Sequence, residues 1–220
     1  SIGLAVEDSE SNLIYRAAEL YRNGDVPPVA FRLDKKLPIA AGLGGGSADA
    51  AAALRLLNEN SDAPLGAKEL HAIAAQLGAD VPACIESLPV VGRGTGTLLE
   101  PVENDVSGLH CLLVNPNIAM STGPVFKAWD GVDRGPMPEG SALHIMQNGR
   151  NDLEPMAFEI CPEIGEILQK LRDCDPLVAR MSGSGATCFA LFDNAVALER
   201  TSAKITKHHP EWWTMKGRLR

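Results

Sequence analysis

The chain has 220 residues, of which 45% are hydrophobic and 22% charged, the composition of a globular protein with one or two domains. Its net charge of −8 argues against nucleic acid as a main partner, because phosphate backbones select basic surfaces. No apolar run is long enough to predict a membrane span. Five cysteines without CxxC spacing and five histidines without HExxH spacing predict neither a disulfide framework nor a zinc site, so we expect reduced thiols in a cytoplasmic protein.

The first predicted elements lie before residue 80. Apolar residues at helical spacing predict a helix that begins at Ser11 or Asn12. A short alternating stretch predicts a strand over residues 29–33. After a glycine-rich loop the pattern predicts two more helices, and the second of them ends at Gly78 because glycine commonly follows the last turn of a helix.

The middle of the chain predicts strands and a domain boundary. Residues 81–87 and 89–102 are interpreted as strands joined by a glycine-rich bend. The alternation of strands and helices restarts just after Asp105. We therefore expect an N-terminal domain over residues 1–105 and a C-terminal domain over residues 106–220, both α+β.

The C-terminal half alternates between apolar runs and helical periodicity. In chain order, the patterns first predict a buried strand over 109–116, a helix from Thr122 and a Gly- and Pro-rich loop over 133–144. A helix follows over 162–173, and residues 177–193 are predicted as two strands joined by a glycine turn. The last elements are a helix over 194–212 and a closing strand over 212–220.

The stretch "IAAGLGGGSADAAAAL", residues 39–54, carries the strongest chemical pattern. Four glycines stand within five residues of one another and lead into an alanine-rich helix, which we expect to be capped by Ser47 or Gly46 and to run to about Asn58. A helix N-terminus presents unpaired N–H groups, and glycines let phosphate oxygens approach them without meeting a Cβ. The pattern therefore predicts a phosphate site, and a tight packing turn is the alternative.

Two common phosphate-binding patterns do not fit this loop. The Walker A pattern GxxxxGK[ST] is absent because no Gly-Lys-Ser/Thr occurs. The dinucleotide pattern GxGxxG does not match "GLGGGS", and no acidic residue ends a strand about 20 positions later.

Three stretches together resemble the GHMP kinases, the superfamily that includes galactokinase and the homoserine, mevalonate and phosphomevalonate kinases. "LPIAAGLGGGSADAAAAL" resembles its second motif, "LGADVPACIE" the segment with its catalytic aspartate, and "ARMSGSGATCFALF" its third motif. The triple glycine and "NDLEP" resemble the branch that phosphorylates 4-diphosphocytidyl-2-C-methyl-D-erythritol. These stretches follow the family's order and spacing, and the resemblance covers nearly the whole chain.

The resemblance implies an α+β, two-domain GHMP-kinase fold. Its N-terminal domain is expected to resemble domain 2 of ribosomal protein S5, and its C-terminal domain is expected to be ferredoxin-like. One departure is that nothing in the 220 residues resembles the family's first motif, a strand with a lysine followed by an asparagine, or the cytosine-binding residues after it.

For the glycine loop the resemblance implies ATP binding, with Mg²⁺ as the metal. Ser47 is the candidate for a hydroxyl that contacts a phosphate or Mg²⁺, and a plain helix cap is the alternative. The nucleotide-binding candidates are Pro38, Ile39, Ala40, Ala41, Gly42, Leu43, Gly44, Gly45, Gly46, Ser47 and Ala48.

The resemblance also implies the residues that act on the acceptor. Asp80 is the candidate base, although its position before Val81-Pro82 alone would favour a helix cap or a turn. Thr122 and the turn residues Gly183, Ser184 and Gly185 are the candidates for substrate binding. Without the resemblance, a hairpin turn would explain the glycine turn equally well.

The predicted function is therefore ATP-dependent phosphorylation of diphosphocytidyl-methylerythritol in the non-mevalonate isoprenoid pathway. Another small-molecule kinase of the superfamily is one alternative, and a non-catalytic nucleotide-binding module is the other. The expected partners are the substrate and ATP, without nucleic acid or membrane, in a monomer or homodimer.

Overall fold

The structure is a computed structural model that describes residues 12–21, 29–94, 96 and 98–220. By its contacts the chain divides into two compact units. We call the described residues up to 36 together with residues 44–102 the first unit, and residues 37–43 together with 103–220 the second unit. The division after Val102 differs by three residues from the predicted boundary. The assignment of residues 37–43 to the second unit has no counterpart in the sequence pattern.

The first unit contains helices and one hairpin. Its described elements are α1 (Leu13–Leu20), α2 (Gly45–Glu59), α3 (Ala67–Leu77), α4 (Val81–Glu86) and the antiparallel strands β1 (Val90–Arg93) and β2 (Leu98–Pro101). Of the two predicted caps of α1, Asn12 has that role, because its side chain accepts a hydrogen bond from the Ile14 N–H at 2.9 Å. Ser11 lies outside the described residues.

Alanines and leucines on α2 form the centre of the first unit. Ala50, Ala51, Ala53, Leu54 and Leu57 are all buried there. The same cluster includes buried residues of α1, α3 and α4. Alanine has the highest helix propensity and little bulk, so the alanine-rich sequence both favours the helix and lets three neighbouring helices pack against it.

Two strand predictions in the first unit are wrong. Residues 29–36 have no regular secondary structure, and no described strand pairs with them, although a strand needs such pairing. Residues 81–86 form α4, not a strand. Pro82 is in the first turn of this helix, where its missing N–H costs no hydrogen bond, and Val81 and Ile85 are buried on one face, four residues apart.

The second unit is built on a four-stranded antiparallel sheet. Its elements are β3 (His110–Asn115), α5 (Thr122–Ala128), α6 (Ala142–Asn148), α7 (Glu154–Ile160), α8 (Glu163–Arg172), β4 (Val178–Met181), β5 (Cys188–Phe192), α9 (Ala195–His208) and β6 (Trp213–Arg218). The strand order β4-β5-β3-β6, with α8 before β4 and α9 before β6, is the ferredoxin-like arrangement. The α+β class is thereby confirmed.

Helix α8 packs against this sheet with the predicted periodicity. Ile164, Ile167, Leu168 and Leu171 are completely buried, in one cluster with residues of β3, β4 and β5. Helix α6 was not predicted, because its first residues fall in the expected loop over 133–144. Ser141 ends that loop early by accepting a hydrogen bond from the His144 N–H at 3.4 Å.

Among the helices of the described ranges, none combines the length and the apolar character that a membrane crossing requires.

Candidate active site

The glycine loop leads directly into α2. Gly44 is the N-cap, with a left-handed backbone at φ 63°, and its carbonyl accepts the first helical hydrogen bond from the Ala48 N–H at 2.9 Å. The expected cap at Ser47 or Gly46 is therefore wrong, because glycine adopts the left-handed conformation without strain and the helix can begin at Gly45. Ser47 is the third helical residue.

The first turn of α2 has the properties of an anion site. Its leading N–H groups have no helical acceptor, and no acidic side chain stands in this turn. Apart from its chain neighbours and the backbone of its own helix, no atom of the described residues lies within 4 Å of the position that a Cβ on Gly44 would take. Amides without helical acceptors beside an open approach are the geometry that phosphate oxygens use at helix N-termini.

The lysine that precedes the loop is anchored to the same helix. Lys35 forms an ion pair with Asp49 of α2, whereas the neighbouring Lys36 pairs with Asp34 at 3.6 Å on the surface. Both lysine side chains are exposed, so the Lys35–Asp49 pair also lies at the surface.

The second glycine segment is the turn between β4 and β5. Gly183 and Gly185 have φ values of 54° and 85°. Two hydrogen bonds close the turn, from the Ser182 N–H to the Thr187 carbonyl and from the Gly185 N–H to the Ser182 carbonyl, both at 2.9 Å. A Cβ on Gly185 would lie 2.6 Å from the end of the Met120 side chain, which can move aside, so the left-handed φ of 85° is the main reason that favours glycine there.

Residues 41 and 42 pack directly on this turn, which explains why residues 37–43 belong to the second unit. The Ser182 hydroxyl donates to the Gly42 carbonyl at 2.8 Å, and the Thr187 N–H donates to the Ala41 carbonyl at 3.3 Å. The predicted nucleotide-binding segment therefore has its residues Pro38 to Leu43 in the second unit and Gly44 to Ala48 in the first.

Three side chains hold the turn from other elements of the second unit. Asn151 donates to the Gly183 carbonyl at 2.7 Å, and the Ser184 hydroxyl donates to Thr122 Oγ1 at 3.1 Å. Buried Asn115 donates to Thr187 Oγ1 at 2.9 Å. The structure thus brings Thr122 together with the predicted substrate-binding turn.

The sequence pattern does not predict a role for Asn115. It ends the apolar strand β3 and is 1% exposed, and a polar amide inside an apolar run is the signal that could have revealed it. Asn151 belongs to "NDLEP", and the sequence pattern predicts no separate role for it.

Asp80 occupies the N-cap position of α4. Its side chain is exposed and makes no capping hydrogen bond, and its backbone is helical (φ −86°, ψ −15°) rather than extended as in most caps. Capping therefore does not explain this carboxylate. Thr122 is likewise not a cap, since Ser121 holds that position and Thr122 is the first residue of α5.

Within the part of the chain that the structure describes, no group of three or more His, Cys, Asp or Glu side chains is placed to hold a metal ion. A cavity of about 680 Å³ opens along β4 in the second unit. Its three arginines each have a partner: Arg180 donates to the Met146 carbonyl at 3.0 Å, Arg150 pairs with Asp152 at 2.9 Å, and Arg172 lies 3.9 Å from a Glu154 carboxylate oxygen. The guanidinium groups that line this cavity are thus paired within the second unit.

Comparison with known proteins finds similar sequences for both glycine segments. The family model "GHMP kinases N terminal domain" matches residues 12–87, and "GHMP kinases C terminal" matches residues 140–211. A 4-diphosphocytidyl-2-C-methyl-D-erythritol kinase of Novosphingobium aromaticivorans is 49% identical over 99% of this chain and 74% of its own length. The enzyme of that name from Erythrobacter litoralis is 52% identical over 85% of this chain and 69% of its own.

Solved structures agree as well. The crystal structure of a 4-(cytidine 5'-diphospho)-2C-methyl-D-erythritol kinase has a TM-score of 0.76 and 30% identity, covering 97% of this chain and 80% of that one. A homoserine kinase from Cytophaga hutchinsonii has a TM-score of 0.75 at 18% identity, covering 99% of this chain and 79% of its own, and so shares the fold. Both halves of the chain match, and the chain belongs to the GHMP kinase family.

Proposed function

We propose that this protein is an ATP-dependent small-molecule kinase that phosphorylates the 2-hydroxyl of 4-diphosphocytidyl-2-C-methyl-D-erythritol. The observation that carries the proposal is the 49% identity, over 99% of this chain, to a kinase named for that substrate. Four homoserine and mevalonate kinases of solved structure are 11% to 19% identical to this chain and support only the fold.

We assign the β- and γ-phosphates of ATP to the N-terminus of α2. The open approach at Gly44 and the absence of acidic side chains in the first turn support this assignment. Ser47, the third residue of the helix, brings a hydroxyl to the same turn, where it can donate to a phosphate oxygen.

Mg²⁺ fits this donor set. The ion usually takes few protein ligands and keeps phosphate oxygens and waters, so the absence of a three-residue cluster in the described ranges is compatible with it. Ser47 is the residue that would hold it. Bound there, Mg²⁺ would neutralise part of the phosphate charge.

On the acceptor side, we assign Asp80 as the base. Its carboxylate takes the proton of the 2-hydroxyl as that oxygen forms a bond to the γ-phosphorus. The bond from the γ-phosphorus to the β,γ-bridging oxygen breaks, and ADP leaves. The exposed carboxylate supports the assignment, because it makes no capping bond to α4 and has no other hydrogen bond or ion pair among the described contacts.

We assign Thr122, Gly183, Ser184 and Gly185 to the binding of substrate. The hydrogen bond between Ser184 and Thr122 supports the grouping, since it fixes two hydroxyls of different elements beside each other. We expect the protein to act in the cytoplasm as a monomer or homodimer, and its five free cysteines fit a reducing compartment.

The test is acceptor-dependent ADP release by the full protein, with diphosphocytidyl-methylerythritol, homoserine and mevalonate supplied in parallel. We expect release with the first acceptor only and a new phosphomonoester signal in the ³¹P NMR spectrum of the product. Turnover of homoserine or mevalonate instead would make the protein another kinase of the family. ATP binding without turnover of any acceptor would make it a non-catalytic module.

A further inference from the structure

Arg55 joins the helix of the glycine loop to the helix that follows Asp80. It lies half-buried on α2, and its guanidinium Nη1 donates to the Cys84 carbonyl at 2.7 Å and to the Ile85 carbonyl at 3.1 Å. These carbonyls belong to the last turn of α4, where the helix leaves acceptors without helical partners. A cation at that position also complements the negative end of the helix.

Helix α4 depends on such external contacts. It has only six residues, too few for a helix to be stable by itself. Val81 and Ile85 pack into the cluster formed by α2 and α3, and His71 of α3 contacts Glu86 at 3.2 Å on the surface. The two hydrogen bonds from Arg55 and the His71–Glu86 contact form the polar part of this attachment, and only those from Arg55 reach the backbone of α4.

The charges of Arg55 and Asp80 both act on the Cys84 thiol. Burial is the main cause that raises the pKa of Cys84; the Asp80 carboxylate raises it further, and the Arg55 guanidinium lowers it. Both charges are therefore close enough to α4 to influence the same sulfur.

We propose that Arg55 is a positioning residue that fixes Asp80 relative to α2 by holding α4. The inference rests on the proposed function, in which Asp80 is the base and α2 binds the phosphates. Because rates of transfer depend on the alignment of the reacting groups, a small displacement of α4 would lower turnover without weakening ATP binding.

The first experiment separates positioning from simple stabilisation. Arg55→Met keeps an apolar stem and removes the donors, whereas Arg55→Lys keeps a cation with a different donor geometry. Asn58→Ala is the matched control on the same helix, because Asn58 bonds Tyr21 Oη at 2.7 Å and the Leu65 N–H at 2.7 Å instead of α4.

We expect Arg55→Met and Asn58→Ala both to lower the Tm. Only Arg55→Met should lower kcat, by roughly 10- to 100-fold, because a displacement of the reacting groups by about 1 Å typically has this effect. The KM for ATP should stay within about twofold of wild type. Arg55→Lys should recover part of kcat. Equal kcat in Arg55→Met and Asn58→Ala would overturn the inference.

The second experiment tests whether Arg55 acts through Asp80. In an Asp80→Asn background, Arg55→Met should reduce kcat by less than about threefold further, because the group that Arg55 positions is already disabled. If the kcat losses of the two single variants multiply in full in the double variant, the inference is overturned. Near-normal turnover in Asp80→Asn alone would refute the proposed base and, with it, this role of Arg55.

Hydrogen exchange supplies a readout that does not require activity. Arg55→Met should speed exchange in peptides covering residues 81–87 at least several-fold more than in peptides covering α3. Unchanged exchange over residues 81–87 would show that Arg55 does not hold α4 and would overturn the inference, even if the protein phosphorylates the expected substrate.

Discussion

Gly42 and Gly185 approach each other so closely that a Cβ built on Gly42 would lie 2.1 Å from the Gly185 carbonyl oxygen. The same Cβ would lie 2.9 Å from the Ser182 carbonyl oxygen. Both obstacles are backbone atoms, which cannot rotate away as the end of a side chain can. The contact between the two glycine segments therefore requires glycine at residue 42.

Gly42→Ala should destabilise the protein more than Gly44→Ala, although both residues have left-handed backbones, with φ values of 71° and 63°. The conformational strain is common to both, at roughly 1–2 kcal/mol. Only Gly42→Ala adds a steric clash among the residues that the structure describes, since none of them beyond the adjoining backbone comes within 4 Å of a Cβ on Gly44. We expect an additional loss of about 1–3 kcal/mol in the free energy of unfolding, measured by urea denaturation. Equal losses in the two variants would contradict the packing of Gly42 on Gly185.

Ser47→Ala should separate helix capping from ligand binding. Because Gly44 and not Ser47 is the N-cap of α2, the free energy of unfolding should change by less than about 0.5 kcal/mol. If Ser47 binds a phosphate, ATP affinity should fall roughly 10- to 100-fold, the loss of a hydrogen bond to a charged group.

The capping control for Ser47→Ala is Asn194→Ala. Asn194 caps α9 by accepting from the Ala197 N–H at 2.9 Å, so this variant should lose about 1 kcal/mol of stability and keep its ATP affinity. Isothermal titration and urea denaturation measure the two quantities. Unchanged ATP affinity in Ser47→Ala would remove Ser47 from the nucleotide site.

Local patterns were enough to predict most of the helices and strands, and the family resemblance implied how they are arranged. The buried face of α8, with Ile164, Ile167 and Leu171, follows helical spacing that is visible in the sequence. The errors arose where tertiary context decides. Residues 29–33 alternate like a strand but have no described partner strand, and the apolar run at Val81 fits a strand or a helix until its packing against α2 selects the helix.

The candidate site was predicted only in part, for a similar reason. The glycines at residues 42 and 185 were recognisable as special, but the contact between them joins segments about 140 residues apart. Spacing along the chain carries no information about such a contact. The attachments by Asn115 and Arg55 are also long-range, so each looks like an ordinary polar residue in the sequence.

Asn115→Ala should test the buried support of the glycine turn. The variant leaves the hydroxyl of Thr187, a fully buried residue, without its donor and the Asn117 N–H without the acceptor it contacts at 2.8 Å. We expect a loss of about 1–3 kcal/mol in the free energy of unfolding. Asn104→Ala is the control, because Asn104 is exposed and bonds only the surface carbonyl of Arg220 among the described contacts. A loss no larger than that of the control would show that the Asn115 bond is not important for stability.

Alkaline pH should destabilise the protein through its buried thiols. Burial raises the pKa of Cys111 from 9.0 to about 11, so between pH 9 and 11 the unfolded chain loses a proton that the folded protein keeps. Stability from this thiol is complete below pH 9 and falls as the pH rises, by an amount on the order of 2 kcal/mol.

Cys111→Val removes this ionisation while keeping a similar volume. Urea denaturation in reducing buffer at pH 8, 9, 10 and 11 should therefore show a shallower alkaline decline for Cys111→Val than for wild type. Parallel curves for the two proteins would contradict the raised pKa of Cys111.

Asp80→Asn provides the most direct test of the proposed chemistry. The substitution keeps the shape of the side chain but removes the negative charge and the ability to accept a proton. We expect the affinities for ATP and the diphosphocytidyl substrate to stay near wild type and kcat to fall by roughly two to four orders of magnitude, the usual contribution of a general base. Since the Asp80 side chain makes no capping hydrogen bond, the Tm should change little.

A capping role would give the opposite result, since Asn caps a helix about as well as Asp and would preserve turnover. Steady-state kinetics and ATP titration of both proteins, after circular dichroism has shown that both are folded, distinguish the two roles. Near-normal kcat in Asp80→Asn would exclude this carboxylate as the base.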